Sequence, residues 1–295
     1  MKKQLLLAMF LCLTGVLAFA QGQPNPAEIP TKPFKIIGNI HYVGVIDPSG
    51  KARQDSVSYL ITTPQGHILV DTQFDETVPL IRDNIQKLGF RYQDVKILLN
   101  SHAHVDHMAG HARMKELTGA QVVISEGDAG VVQDGGRSDF RGNGRELWKP
   151  FKPDRIIRDG DTVALGGTTL TAHMTPGHTK GSTTWTMVTQ EDGRNYNVVI
   201  VGGVRLNANV PLVGNSKYPN IVEDFAKSFR VLKTLPVDVA LGVHGYWFGL
   251  SAKARLLEQG GGPNPFANAA EYAEYVAAQE RAYLAQLQKE RTAAR

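Results

Sequence analysis

The sequence predicts an α/β fold with strands and helices alternating through two similar halves, and three observations carry that expectation. Short apolar, β-branched runs such as "ILVD" (68–71), "VKILLN" (95–100) and "QVVIS" (121–125) have the length and composition of buried strands. Between them lie segments with apolar residues at helical spacing. In "DETVPLIRDNIQKLGF" (75–90), Val78, Ile81, Ile85 and Leu88 share one face and Gly89 closes the segment. No Pro- or Ser-rich linker separates the halves, which favours one domain over two independent ones.

Taken in order, residues 21–33, rich in Pro and Gln, read as a leader to the fold. "FKIIGNIHYVGV" (34–45) and "VSYLITT" (57–63) read as strands, and "PQGH" (64–67) turns the chain into 68–71. The helix from 75, the strand 95–100, a helix near 108–118, the strand 121–125 and a short helix from Glu126 follow. Residues 134–154, rich in Gly, Arg and Pro, read as a long loop, and loops of that length are often functional. Strands dominate 155–204, with turns at "RDGD", "LGGT" and "EDGR". A helix at 220–234, the strand "VDVALGVH" (237–244) and helices around 252–259 and 268–292 complete the chain.

The first twenty residues pair Lys2 and Lys3 with an apolar run that ends in Ala18-Phe19-Ala20. That pattern reads as a secretory signal (1–20) cleaved after Ala20, its apolar core being too short to anchor in a bilayer. The expected location is the periplasm, and the expected mature chain is a single domain of residues 21–295. Cys12 is the only cysteine, so the mature chain has no disulfide, no thiolate metal site and no cysteine nucleophile. Without Lys2 and Lys3, 30 basic residues face 28 acidic ones, and no dense basic run is present. Nucleic acid is therefore not an expected partner, and no later stretch is apolar enough to span a membrane. A monomer acting on a small molecule is expected.

The stretch "SHAHVDHMAGH" (101–111) holds four of the nine histidines of the chain. His102, His104 and Asp106 are spaced by two, so an extended chain leaving a strand presents them on one side. His107 falls out of that phase. One tetrahedral ion cannot easily use it, whereas two neighbouring ions can. Further ligands must come from a distance. His178 in "TPGHTKGSTTW" and His244 in "LGVHGYW" both stand at strand ends, where binding groups gather. His111 lies four residues beyond His107, but Met108 stands where a zinc-protease glutamate would be, so His111 reads as a supporting or surface residue. His41, His67 and His173 have no ligand-like context. Asp71, at the end of "ILVD", is a candidate for the carboxylate that accepts a ligand histidine's second N–H.

His-x-His-x-Asp-His at 102–107, Gly-His at 177–178 and a strand-end His244 together resemble the metallo-β-lactamase superfamily, over nearly all of the mature chain. The resemblance implies an αβ/βα four-layer sandwich, two central mixed sheets with helices on both outer faces, and two Zn2+ per chain. The segments "TPGHTKGSTTW", "LVGNSKYPNIVEDFAKSF", "LPVDVALGVHGYW" and "GGPNPFANAAEY" are similar to subclass B3 β-lactamases. By that pattern His102, His104 and His178 hold the first zinc, and Asp106, His107 and His244 the second. These six residues would be the catalytic set for hydrolysis of a β-lactam amide by a zinc-activated hydroxide, with no covalent intermediate. Consistent with that, the chain has no Ser-x-x-Lys and no Gly-x-Ser-x-Gly.

The rival reading is a lactonase or thioesterase of the same superfamily, whose members add an aspartate bridging both metals after the third histidine. Between Asp192 and Glu223 this chain has no carboxylate, so that position near "VGGVRL" (201–206) lacks one. A third reading, a metal-binding protein without activity, would need a ligand to be missing. One departure concerns substrate binding, because the segment carrying carboxylate-binding serines in well-known B3 enzymes reads Val204, Arg205, Leu206 here. Arg205 either takes over that anion contact through its donor fork or is an exposed charge. Trp148, in the long loop, either lines the cleft or packs on the surface.

Overall fold

The computed structural model describes residues 32–45 and 55–295; the signal expected at 1–20, with Cys12, lies outside them. Two β-sheets face each other. The first has seven strands in chain order: β1 (Phe34–Ile37), β2 (Ile40–Tyr42), β3 (Tyr59–Thr63), β4 (Gly66–Val70), β5 (Val95–Leu99), β6 (Gln121–Ser125) and β7 (Arg155–Ile157). The hairpin-connected strands β1–β4 pair antiparallel, and β4–β7, separated by helices, pair parallel. The second sheet has β8 (Thr162–Leu165), β9 (Thr168–Met174), β10 (Thr183–Glu191), β11 (Arg194–Val201) and β12 (Val239–Gly242) in the order β12-β11-β10-β9-β8. Only the β11–β12 pair is parallel, because a helix intervenes there.

The helices are α1 (Val78–Lys87), α2 (Val105–Met108), α3 (His111–Thr118), α4 (Glu126–Gln133), α5 (Ile221–Leu232), α6 (Leu250–Gln259) and α7 (Ala269–Ala293). Strand alternation explains the layering. Ile97 and Leu99 of β5 point into a core shared with Leu170, Trp185, Val198 and Leu241 of the second sheet. Leu98 points the other way, against Val78, Ile81 and Ile85 of α1 and Met114 of α3, and Val95, before the register shift between 95 and 97, joins it there. The outer face of the second sheet is covered by Phe225 and Phe229 of α5 and Val276 and Tyr283 of α7. This is the four-layer arrangement with helices on both outer faces, and no helix among the described residues is long and apolar enough to cross a membrane.

Two local expectations are corrected. The helix expected near 108–118 is two helices, α2 and α3, because Ala109 and Gly110 interrupt the run. Trp148 neither lines a cleft nor packs on the surface: it is 5% exposed, in the core beneath the first sheet, with its ring against Gly136.

Candidate metal centre

The centre gathers at the carboxyl ends of parallel strands, where helices cannot cover the sheet and polar groups converge. β4 delivers Asp71, β5 delivers 101–107, β12 delivers His244, and the β9–β10 connection carries His178. Two bonds tie the exit of β5 to the second sheet: Trp185 Nε1 donates to the Asn100 carbonyl (2.9 Å) and Thr183 N to the Ser101 carbonyl (2.8 Å). Asp128 of α4 adds a second tie. It accepts from Ala103 N (2.8 Å), Thr179 Oγ1 (2.9 Å) and Gly181 N (2.9 Å), so one buried carboxylate holds the 101–104 loop and the His178 turn in register. Burial pushes that carboxyl up to about 6 despite these three donors.

Six donors fall into two groups. His102, His104 and His178 form one; Asp106, His107 and His244 form the other; within each group the potential ligand atoms lie within 4.8 Å of one another. The extended-chain argument holds for His102 and His104 but not for Asp106. α2 begins at Val105, so Asp106 and His107 are consecutive helical residues and leave the side taken by the two histidines. Asp106 Oδ2 stands 3.1 Å from His107 Nε2 and 3.7 Å from His244 Nε2, and the two Nε2 atoms are 3.3 Å apart.

The ring tautomers follow from what lies behind each imidazole. Ser101 Oγ gives its only hydrogen to Asp71 Oδ2 (2.7 Å) and so accepts from His102 Nδ1–H (3.0 Å). His178 Nδ1–H donates to the Arg205 carbonyl (2.6 Å), and His107 Nδ1–H to Asp71 Oδ2 (2.9 Å). His244 Nδ1 lies 3.3 Å from Asp55 Oδ1. In each case Nε2 is left facing inward, and among the described residues His102 Nε2 is buried with no hydrogen-bond partner. Buried ring nitrogens gathered in two groups, these four backed by an oxygen, are a donor set that fits metal ions, and with nitrogen and oxygen alone it suits zinc.

Electrostatics separates the groups. Burial holds His102 and His104 well below the usual histidine range and lowers His178 to about 3, so the first group consists of three neutral imidazoles. In the second group burial opposes both charges, yet the Asp106 and His107 charges sustain each other. Asp106 is held well below the carboxylate range, and His107 is raised to about 10 with further help from Asp71. An ion entering there must displace the His107 proton. His178 is 9% exposed and the His244 side chain 13%, against 0% for His102 and His107, so the centre opens where those two rings stand.

Arg205 sits at that opening. Its guanidinium lies 5.4 Å from the ring centre of Tyr246 and 5.9 Å from that of Trp247, with Nη1 bonded to the Tyr246 hydroxyl. His111 is neither at the surface nor behind a ligand ring. It is fully buried between Thr72 Oγ1 (2.7 Å) and the Leu99 carbonyl (3.3 Å). Four oxygen-bearing side chains of the surroundings were not singled out in the sequence: Asp55 behind His244, Ser101 behind His102, Asp128, and Asp139, whose Oδ2 is 3.9 Å from His104 Nε2. Only Asp139 had a signal, its place in the long loop 134–154.

Comparison with known proteins agrees with this geometry. The family model of the metallo-beta-lactamase superfamily matches residues 53–244. The native FEZ-1 metallo-beta-lactamase from Legionella gormanii is 40% identical, with 90% of this chain and 98% of that one covered and a TM-score of 0.84. The class B3 di-zinc metallo-beta-lactamase LRA-12 from an Alaskan soil metagenome is 33% identical, with 90% and 98% covered and a TM-score of 0.82. A curated relative, hydroxyacylglutathione hydrolase of Hyphomonas neptunium, is 30% identical over 129 residues, which span 43% of this chain and 41% of the relative. The chain thus matches less than half of that relative's length.

Proposed function

Because the chain belongs to the metallo-beta-lactamase superfamily, we propose that it is a zinc-dependent β-lactamase of the subclass B3 kind, exported to the periplasm by its 1–20 leader and acting as a monomer. One domain, residues 21–295, does the work; the core shared by the two sheets supports that reading. His102, His104 and His178 hold one zinc and Asp106, His107 and His244 a second, with Asp71 bracing His107 directly and His102 through Ser101. The observation that carries the substrate class is the segment leaving β11. It passes the His178 ring at Gly203 and contributes no carboxylate to either group, as a thioesterase or lactonase would require.

Zinc, when bound, supplies a nucleophilic water at neutral pH and polarises the amide carbonyl. The protein's own groups do the rest. The three neutral imidazoles of the first group leave a cation's charge uncompensated there, which favours an electron-rich carbonyl oxygen. Asp106, kept ionised by its histidine neighbours, orients the nucleophile while remaining a ligand. Arg205, stacked over Tyr246 and Trp247 at the opening, meets the carboxylate of the lactam. The match to a hydroxyacylglutathione hydrolase keeps a second reading, a metal-dependent thioesterase or lactonase.

The deciding experiment is hydrolysis of a chromogenic cephalosporin and a carbapenem by the purified mature protein, with and without a chelator, followed by zinc add-back. Turnover abolished by chelation and restored by zinc is expected. Absence of turnover with about two zinc ions bound per chain would overturn the substrate class, and activity on thioesters or lactones would then establish the second reading.

A further inference from the structure

Four of the five imidazoles of the centre have an oxygen within 3.3 Å of the ring nitrogen that faces away from the group: Ser101, Asp71, the Arg205 carbonyl and Asp55. His104 alone lacks one at that distance, and among the described residues its Nε2 is buried without a hydrogen-bond partner. The nearest ionisable oxygen is Asp139 Oδ2, 3.9 Å away, on a side chain only 4% exposed. Asp139 reaches this place from the middle of the long loop and is held there locally. Its Oδ1 accepts from Arg141 N (2.9 Å), its backbone N–H donates to the Gly136 carbonyl (3.2 Å), and its carbonyl accepts from Gly142 N (2.8 Å).

A cation completes the arrangement. Arg141 Nη2 approaches Asp139 Oδ2 (3.4 Å), and Nη1 donates to Asn207 Oδ1 (3.2 Å). Asn207 Nδ2 in turn donates to the His178 carbonyl (2.7 Å). A continuous polar chain therefore runs from beside His104, through the loop, to the backbone of His178, the one member of the same group that comes from outside the 102–107 stretch.

We propose that Asp139 is a positioning residue for His104, the buried negative charge that strengthens cation binding by the His102–His104–His178 group, and that Arg141 sets how much of that charge is felt while clasping the loop to His178. The proposal rests on the reading of that group as a zinc site. At 3.9 Å Asp139 makes no hydrogen bond to the ring and acts through its charge, so its loss is expected at the lower end of the roughly 10- to 100-fold that hydrogen-bonded carboxylates behind ligand histidines contribute to metal affinity. The two residues therefore act with opposite signs. Asp139 attracts the cation, whereas the guanidinium of Arg141, near both His104 and His178, repels it. A merely structural role for the loop would make both residues stabilising.

The test is zinc affinity, measured on metal-free wild type, Asp139→Asn and Arg141→Gln by competition with a chromophoric chelator, with cobalt absorption spectra to tell the two groups apart. Asp139→Asn should weaken one of two equivalents about 10-fold or more, with altered cobalt bands for the all-histidine group, and leave the other equivalent unchanged. Arg141→Gln, which can still reach Asn207, should tighten the same equivalent. Wild-type constants for Asp139→Asn, or weakening of that equivalent by both variants, would overturn the proposal. If Asp139→Asn does not fold, a weakened or unchanged equivalent in Arg141→Gln decides against it alone. Failure of the wild type to bind zinc in this group would instead overturn the metal-site reading on which the proposal stands.

Discussion

At the scale of single residues, the donors were legible and most of their supports were not. His102, His104, Asp106 and His107 announce themselves because four residues able to ligate a metal within six positions have no packing use, and Asp71 because it ends a strand beside them. Asp55 and Asp128 gave no signal. The partner of Asp55 is 189 positions away, at His244, and Asp128 looks like any helical acid until the fold brings Ala103 and Gly181 to it. Asp106→Ala should lower turnover by about 100-fold or more, as misplacing the nucleophile does, while zinc in the all-histidine group remains. Unchanged turnover, with zinc content followed by metal analysis, would remove Asp106 from the mechanism. His111 makes a separate prediction. Burial lowers it to about 4, so it folds neutral, with Nε2–H donating to Leu99 and Nδ1 accepting from Thr72. As pH falls below 6.5 the unfolded chain takes up a proton that the folded chain refuses until about 4, so stability declines across that window. That difference corresponds to about 3 kcal/mol. Urea unfolding of metal-free wild type and His111→Gln at pH 7 and 4.5 should give the variant the shallower decline. The ligand histidines titrate in both proteins, so their contribution cancels from the difference.

At the scale of elements, strand and helix types followed from periodicity, but one local inference failed for an instructive reason. Counting by twos from His102 assumes that the extended chain persists, whereas the backbone turns helical at Val105 and sends Asp106 to the other group. That turn makes two groups out of one short stretch. The connections are equally exacting. Gly181, between β9 and β10, lies so close to α4 that an added Cβ would stand 2.3 Å from Ser125 Oγ and 2.4 Å from Asp128 N. Both neighbours are fixed, since Ser125 Oγ donates to the Gly181 carbonyl and Asp128 accepts from its N–H. Gly181→Ala should therefore cost about 1–3 kcal/mol by overpacking and loosen the His178 turn. A lowered melting temperature together with weaker zinc retention in dialysis is the expected result, and a protein that melts and retains zinc like wild type would contradict it.

At the scale of the whole molecule, the α/β class could be read from alternation, but the division of the twelve strands among the described residues into sheets of seven and five could not, because alternation does not say where one sheet stops. The boundary falls at 157–162, where β7 ends the first sheet on the β6 edge and β8 starts the second. This division puts the metal centre across a seam. Residues 102–107 leave the first sheet, whereas His178 and His244 come from the second, so each donor group draws two residues from one side and one from the other. An ion in either group therefore links the two sheets, and zinc binding is coupled to their packing as well as to chemistry. Ligand that binds only the folded chain stabilises it by about 2.7 kcal/mol at a hundred times its dissociation constant. For a chain of this size that corresponds to a rise of roughly 5–10 °C in melting temperature. Chelation should lower the melting temperature by at least that amount, and zinc, titrated back, should raise it progressively as free concentration increases. A melting temperature indifferent to zinc would mean that the ion binds the folded chain no better than the unfolded one, and the seam would then have to be held by its apolar core and by the Trp185–Asn100 and Thr183–Ser101 bonds.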